Sequence, residues 1–462
     1  MNDINPLGKE KVINLLIKFS VPAIVGMLVN SLYNFIDRLF IGNSSDLGTN
    51  GLAGITVSFP IMIILMSIGI LFGIGGATLF SLKLGENKPE IAENALGNAL
   101  FMMIITSLTL MLLGNIFLEP ILIFFGASKI SLPYASDYMR VIFIGSIFQV
   151  ISMGMNNFIR ADGNPKVAMF TMFIGAGFNI ILDPIFIYVL KMGMAGAALA
   201  TILAQFISAS WVLFYFIKGS SKIKLKLQLM KPRLRIIGSI FLLGLPGFAL
   251  QIANSLLNTI LNKSLHQYGG DIAVSGMGII NSIKTLLIMP VIGVKQGVQP
   301  ITSYNYGAKK YKRAMTAVNQ AIIASTFIVL IGYLVTRLFP EQLILMFNKD
   351  PELVKFGTTA VFGWFLFMPI VGFQIIASSF FQAIGRSKTA LFLTLTRQVI
   401  LLIPALLVFP IFWELDGLIY ATPFSDLFSA IITGIWFFIA IKRMRRDVTN
   451  SYTLHSVANT NN

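Results

Sequence analysis

The sequence has no cysteine and only two histidines, His266 and His455. Without cysteine there is no disulfide framework and no thiolate metal site. Charge is also scarce: Asp, Glu, Lys and Arg make up 12% of the chain, about half the share typical of soluble globular proteins. No G-x-x-x-x-G-K-[ST] phosphate loop occurs, so direct drive by ATP has no visible engine. No metal-ligand cluster, nucleophile–base pair or soluble domain supports an enzyme. The N-terminus shows no short hydrophobic core with a cleavage site, and Ile13 onward reads as a first span that stays.

What is plentiful is apolar sequence. The 462 residues are 56% hydrophobic, and the apolar residues run in blocks of about 20, the length that spans a bilayer as helix. The fold class is therefore an all-α polytopic membrane protein. Twelve spans are expected, at 13–41, 52–82, 91–113, 134–159, 165–190, 193–217, 235–265, 272–304, 314–338, 355–383, 387–411 and 417–441. The net charge of +16 raises the question of nucleic acid, but its placement answers no. Most of the basic residues fall at the two ends and in the even-numbered connections, among them Lys309, Lys310, Lys312, Arg313, Lys442, Arg443, Arg445 and Arg446. That positive-inside pattern predicts a multi-pass protein of the cytoplasmic (cell inner) membrane with both termini in the cytoplasm, and its basic surface faces anionic lipid.

The chain reads as a duplication. "PAIVGMLVNSLYN" from Pro22 aligns with "PGFALQIANSLLN" from Pro246, and "SLKLGENKPEIAENA" from Ser81 with "SYNYGAKKYKRAMTA" from Ser303. "NFIRADGNPK" from Asn157 pairs with "SFFQAIGRSK" from Ser379, and "GAALATILAQFISA" from Gly196 with "GLIYATPFSDLFSA" from Gly417. Six spans per half is an even number, so the repeats are parallel, and such lobes commonly enclose a central cavity. The expected organisation is a six-helix lobe at 1–217, a basic cytoplasmic linker at 218–234, a second six-helix lobe at 235–446, and a disordered cytoplasmic tail at 447–462. Gly69 and Gly73, four apart, suit close helix packing.

Polar residues inside the spans carry the functional signal. Asn179 and Asp183 are i and i+4 on one helix face. An aspartate at a span centre costs about 2.5–3.5 kcal/mol on the insertion scale, so it persists where it lines a cavity or meets a partner. Pro184, which follows, lacks an N–H and frees the carbonyl of Ile180 one turn back. These oxygens could hold a proton or a Na⁺. Span one offers a matching face with Asn30, Tyr33, Asn34 and Asp37, and span six adds Thr201 and Gln205. Interhelical hydrogen bonding is the structural alternative, above all for Asn30, Asn34 and Gln205. Arg38 could neutralise Asp37 or snorkel outward. Across the repeat, Asn30 and Asn34 are matched by Asn254 and Asn258, and Thr201 by Thr422, but Asp37 by Leu261 and Asp183 by Pro404. The acids are confined to the first half, which points to a task beyond packing. The second half has Lys284, Lys295, Arg397 and Asp426 inside its spans; the lysines could pair with Asp426 or attract an acidic group. Gln205, Asn254, Asn258, Lys284 and Asp426 are substrate-cavity candidates.

With twelve duplicated spans, Asn and Asp in span one, "RADGNP" after span four and "NIILDP" in span five, nearly the whole chain to about residue 446 resembles the multidrug and toxic compound extrusion (MATE) family, most of all its bacterial MepA-like and DinF-like members. The resemblance implies two six-helix lobes in an inverted V and secondary active export of amphiphilic, mostly cationic organic compounds, coupled to H⁺ or Na⁺ by alternating access. It implies a first-lobe cation site at Asp37, Asn179, Asp183 and Thr201, with Tyr33 and Asn156 as neighbours and Na⁺ at Asp37 and Asp183 if sodium is the ion. Branches with an acid in span seven would place it between Gln251 and Leu261, where none occurs, which leaves Asp426 as a stand-in. No cofactor is expected apart from the coupling ion, and the expected state is a monomer whose partners are small molecules and the bilayer. The 21 methionines and 39 phenylalanines suit a pocket that takes many shapes, because aromatic faces attract organic cations. A flippase for lipid or lipid-linked saccharide is the alternative, and a basic cavity at Lys284, Lys295 and Arg397 would favour it.

Overall fold

The computed structural model describes residues 6–44 and 47–460; the side chains of Asn34, Phe35, Arg38, Thr49 and residues 447–460 fall outside that description. Apart from connections, every described residue is helical. We number the spans α1 (Val12–Gly42), α2 (Gly48–Gly85), α3 (Pro89–Ile116), α4 (Ser131–Ala161), α5 (Pro165–Pro184) and α6 (Gly193–Ile217). The second series is α7 and α8, which share the continuous run Leu234–Gly307, then α9 (Tyr311–Leu338) and α10, a pair Pro351–Trp364 and Met368–Ala383 bent by 51°. Ser387 to Thr460 carries α11 and α12. By length and hydropathy nine described helices can cross a membrane, and the bent pair makes a tenth. Gly270, at φ +62, divides α7 from α8, and Trp413–Glu414, with Glu414 at φ +45, divides α11 from α12. The result is the expected twelve. The tail, expected to be disordered, continues the α12 backbone to Thr460.

The turn between α4 and α5 shows how the sequence sets these breaks. "RADGNP" places Gly163 at φ +99 just past the helix end, a left-handed conformation open to glycine at no steric cost. Gly163 N–H donates to Arg160 O at 3.0 Å and Asn164 N–H to Ile159 O at 3.1 Å, closing the old helix. Pro165 then opens the next one, where its missing N–H is not needed. The second repeat does the same with Gly385 at φ +83 before Ser387.

The chain packs as two units, Val25–Ile252 and Met1–Ile24 with Ala253–Asn462. The division does not fall between repeats. The first half of α1 packs with the second repeat, and the first half of α7 with the first. In the Val25–Ile252 unit, the cores gather around Phe80, Phe158 and Phe216, and around Ile41, Tyr138 and Phe143. A Cβ on Gly244 would lie 1.7 Å from Leu71 O, and one on Gly75 2.1 Å from Ile240 O, so α7 crosses α2 backbone to backbone. In the other unit the cores centre on Phe19, Phe380 and Phe437, and on Ile280, Trp364 and Leu406. A short strap precedes each repeat and docks into the same unit as the half-helix it leads into. Leu7 O accepts from Asn305 Nδ2 at 2.9 Å, and Lys310 Nζ donates to Gly8 O at 3.0 Å. In the first-repeat unit Asn98 Nδ2 donates to Leu229 O at 3.1 Å and Asn98 Oδ1 accepts from Arg233 N–H at 2.7 Å. The end of the basic linker is thus seated on α3.

Candidate functional site

Among the described residues two spans contain a π turn, and both carry charged candidates. After Pro184, α5 continues as a π turn over Ile185–Val189, and α11 is π-helical over Thr396–Leu402. Such wide turns mark functional positions with some frequency. They lie in the matching spans of the two repeats but on opposite sides of the aligned position, one just after Asp183 and the other just before its counterpart Pro404.

In the first-repeat unit, Asn179 and Asp183 are 2% and 0% exposed. Asn179 Nδ2 donates to Asp183 Oδ1 and to Thr201 Oγ1, both at 3.3 Å, and Thr201 Oγ1 donates to Ala197 O at 3.1 Å. The Asp37 carboxyl lies against Asp183, and Tyr33 is in the field of both acids. Asp183 Oδ2 and Asn179 Oδ1 are buried with no hydrogen-bond donor from the described residues. The site is therefore rich in acceptors and short of donors. Hard oxygens in this arrangement suit a proton or a small alkali cation. Among the described residues no three His, Cys, Asp or Glu gather as a metal cluster. The π turn ties the site to the end of α1, where Tyr188 Oη donates to Phe40 O at 2.6 Å with the rings edge-on at 6.1 Å.

The structure thus gathers Tyr33, Asp37, Asn179, Asp183 and Thr201, as the sequence suggests. The side chains of Asn34 and Arg38 lie outside the described residues. Asn156 is placed elsewhere: its Nδ2 donates to Ala168 O at 2.7 Å, three turns from Asn179, or about 16 Å along α5. Its amide joins helices and does not reach the acids. Gln205 is half-buried one turn beyond Thr201, Asn254 is half-buried and Asn258 exposed. Tyr138 is a member the sequence did not announce. It is 1% exposed, lies against Thr201 and stands in the field of Asp37, Asp183 and Tyr33.

In the other unit, among the described residues, Asp426 bonds to Arg397 and not to the lysines. Arg397, aimed by its π-helical backbone, donates from Nε to Asp426 Oδ1 at 2.7 Å, and Ser425 Oγ holds Arg397 O at 2.6 Å. The pair is 12% and 5% exposed. Lys284 Nζ sits over the Trp364 ring, 5.9 Å from its centroid, and Lys295 is half-buried on the same helix.

Comparison with known proteins identifies this arrangement. One family model, MatE, matches the chain twice, over residues 22–185 and 246–407, which is the duplication read from the sequence. The multidrug export protein MepA of Staphylococcus aureus (strain NCTC 8325 / PS 47) is 27% identical over 444 residues, 96% of this chain and 97% of that protein. The MATE multidrug transporter DinF-BH is 38% identical and superposes with a TM-score of 0.86 over 92% of this chain and 95% of its own. A MATE crystallised with MaL6 is 25% identical with a TM-score of 0.89, covering 96% and 99%. The chain belongs to the MATE family of multidrug transporters.

Proposed function

We propose that this chain is a secondary active multidrug exporter of the cytoplasmic membrane, in which H⁺ or Na⁺ passes through the Asp37–Asn179–Asp183–Thr201 cluster while an amphiphilic organic cation leaves by alternating access. The carrying observation is the buried surplus of acceptors: two carboxyls lie together, and Asp183 Oδ2 and the Asn179 oxygen beside them have no donor from the described residues. Two acids in one dry site do not ionise together at ease, and a proton or Na⁺ relieves the repulsion. Pro184 and the π turn behind it give α5 a bend point, so loading the cation is read out as helix shape. Thr201 Oγ1 accepts from the Asn179 amide, and Tyr138 lies against Thr201. Both termini lie in the cytoplasm, as the basic connections favour.

The test is efflux of a cationic rhodamine ester from vesicles holding the purified protein, with a pH gradient and a Na⁺ gradient imposed separately. Acceleration by one of the two gradients supports the reading and names the ion. Dye movement that follows neither gradient overturns it.

A further inference from the structure

We propose that the second-repeat unit carries an anion-accepting subsite in which Lys284 supplies the counter-charge for the carboxylate of a zwitterionic amphiphile. The inference rests on the exporter reading above and narrows its substrate class.

Four helices supply the subsite: Lys284 from α8, Trp364 from α10, Arg397 from the π turn of α11 and Asp426 from α12. Their charges do not cancel. Asp426 is taken by Arg397 at 2.7 Å, and Ser425 fixes the same arginine through its backbone carbonyl. Lys284 is within electrostatic reach of both partners, and its charge is the one left over. Among the described residues its ammonium has no hydrogen-bond acceptor, and it sits over the Trp364 face, 5.9 Å from the ring centroid. Trp364 is 4% exposed, and its Nε1–H is buried with no acceptor among the described residues. The Thr422 hydroxyl, one turn before Asp426, is 3% exposed and likewise has no partner among the described residues. Donors predominate here as acceptors predominate in the first-repeat unit.

Unmatched buried donors and an ionised lysine inside a span are costly, and they persist where a ligand uses them. A group with one negative charge and two acceptor oxygens answers this set: one oxygen for the Lys284 ammonium and one for the Trp364 indole N–H. A carboxylate is such a group. Trp364 offers its ring face beside the ammonium, which suits the aromatic body of a drug-like acid. Arg397 and Asp426 are positioning residues: their pairing keeps Asp426 from neutralising Lys284.

A rhodamine free acid and its ethyl ester form the test pair, since they share the cationic xanthene and differ only in the carboxylate. Binding of each to the purified full-length protein is measured by fluorescence anisotropy, and efflux of each in vesicles, for the parent, Lys284→Gln and Lys284→Arg. Lys284→Gln is expected to weaken the acid about tenfold or more, the scale of a hydrogen bond to a charged group, with the ester within about twofold of the parent; Lys284→Arg should restore most of the acid's affinity. Trp364→Phe keeps the ring and removes the N–H, and should weaken the acid alone by a smaller factor, which serves as the test if Lys284→Gln does not fold. Equal losses for acid and ester, or no loss for the acid, overturn the subsite. A parent that exports neither dye under any gradient overturns the exporter reading instead.

Discussion

Removing Arg397 while leaving Asp426 in place should be among the most damaging single changes in the second-repeat unit. The pair is short, 2.7 Å, and its side chains are 12% and 5% exposed. Breaking a buried pair on one side strands the other charge, at about 3–5 kcal/mol. Against a total stability of about 5–15 kcal/mol, Arg397→Met therefore removes a large share. Asp426→Leu should cost a similar amount, because it strands the Arg397 guanidinium. The double variant Arg397→Met/Asp426→Leu replaces the pair with apolar side chains of similar bulk and should be far less destabilised than the sum of the singles. The assay is a double-mutant cycle on thermal unfolding of the detergent-purified protein, followed by monodispersity. Single variants costing under about 1 kcal/mol, as at an exposed pair, or a double variant equal to the sum, would refute the reasoning.

Other outcomes follow from particular contacts. Gly244→Ala should lower the unfolding temperature by forcing α7 away from Leu71 O, since its Cβ would stand 1.7 Å from that atom; overpacking of this kind costs about 1–3 kcal/mol, and a neutral result would mean that the crossing is looser than it looks. Asp162, in the turn after α4, has its carboxyl pushed up to about 6 by burial, partly offset by the bond from Tyr215 Oη at 2.6 Å. Its folded pKa is above its unfolded one, so its contribution to stability is fully present below about pH 4 and is lost as pH rises through about 6. Asp162→Asn should flatten that fall, which unfolding curves between pH 4 and 8 would show. Tyr138→Phe should leave expression intact and slow efflux by up to about tenfold, the worth of one hydrogen bond; unchanged efflux would remove Tyr138 from the site.

The spans were legible because a bilayer demands long apolar runs, and most boundaries agree with the helices within a few residues. The duplication was legible too, in four aligned stretches. Asp183 and Asn179 announced themselves by their cost at mid-span, and Asp37 by its face on α1. The reciprocal exchange of half-helices, α1 at Ile24 and α7 at Ile252, left no mark, because no local pattern says which bundle an apolar stripe faces. Tyr138 was missed for a related reason: a neutral phenol in an apolar span reads as packing until its neighbours across three helices are known. Asp426 invited pairing with a lysine on charge alone; the choice of Arg397 depends on the π turn that aims it, and π turns have no sequence signature as plain as Pro184. Asn156 was placed beside the acids by resemblance, whereas its amide serves the α4–α5 contact three turns away.

The central claim is that Asp183 carries the coupling cation. Asp183→Asn keeps the side chain's size and the Asn179 contact but holds no exchangeable proton and no charge for Na⁺. The direct measurement is binding and gradient-driven efflux of the rhodamine ester side by side, on parent and Asp183→Asn protein purified to equal monodispersity. The account predicts that the variant folds and binds dye but does not accelerate efflux under the gradient that drives the parent. A well-folded Asp183→Asn variant that exports at the parent rate under that gradient would contradict it.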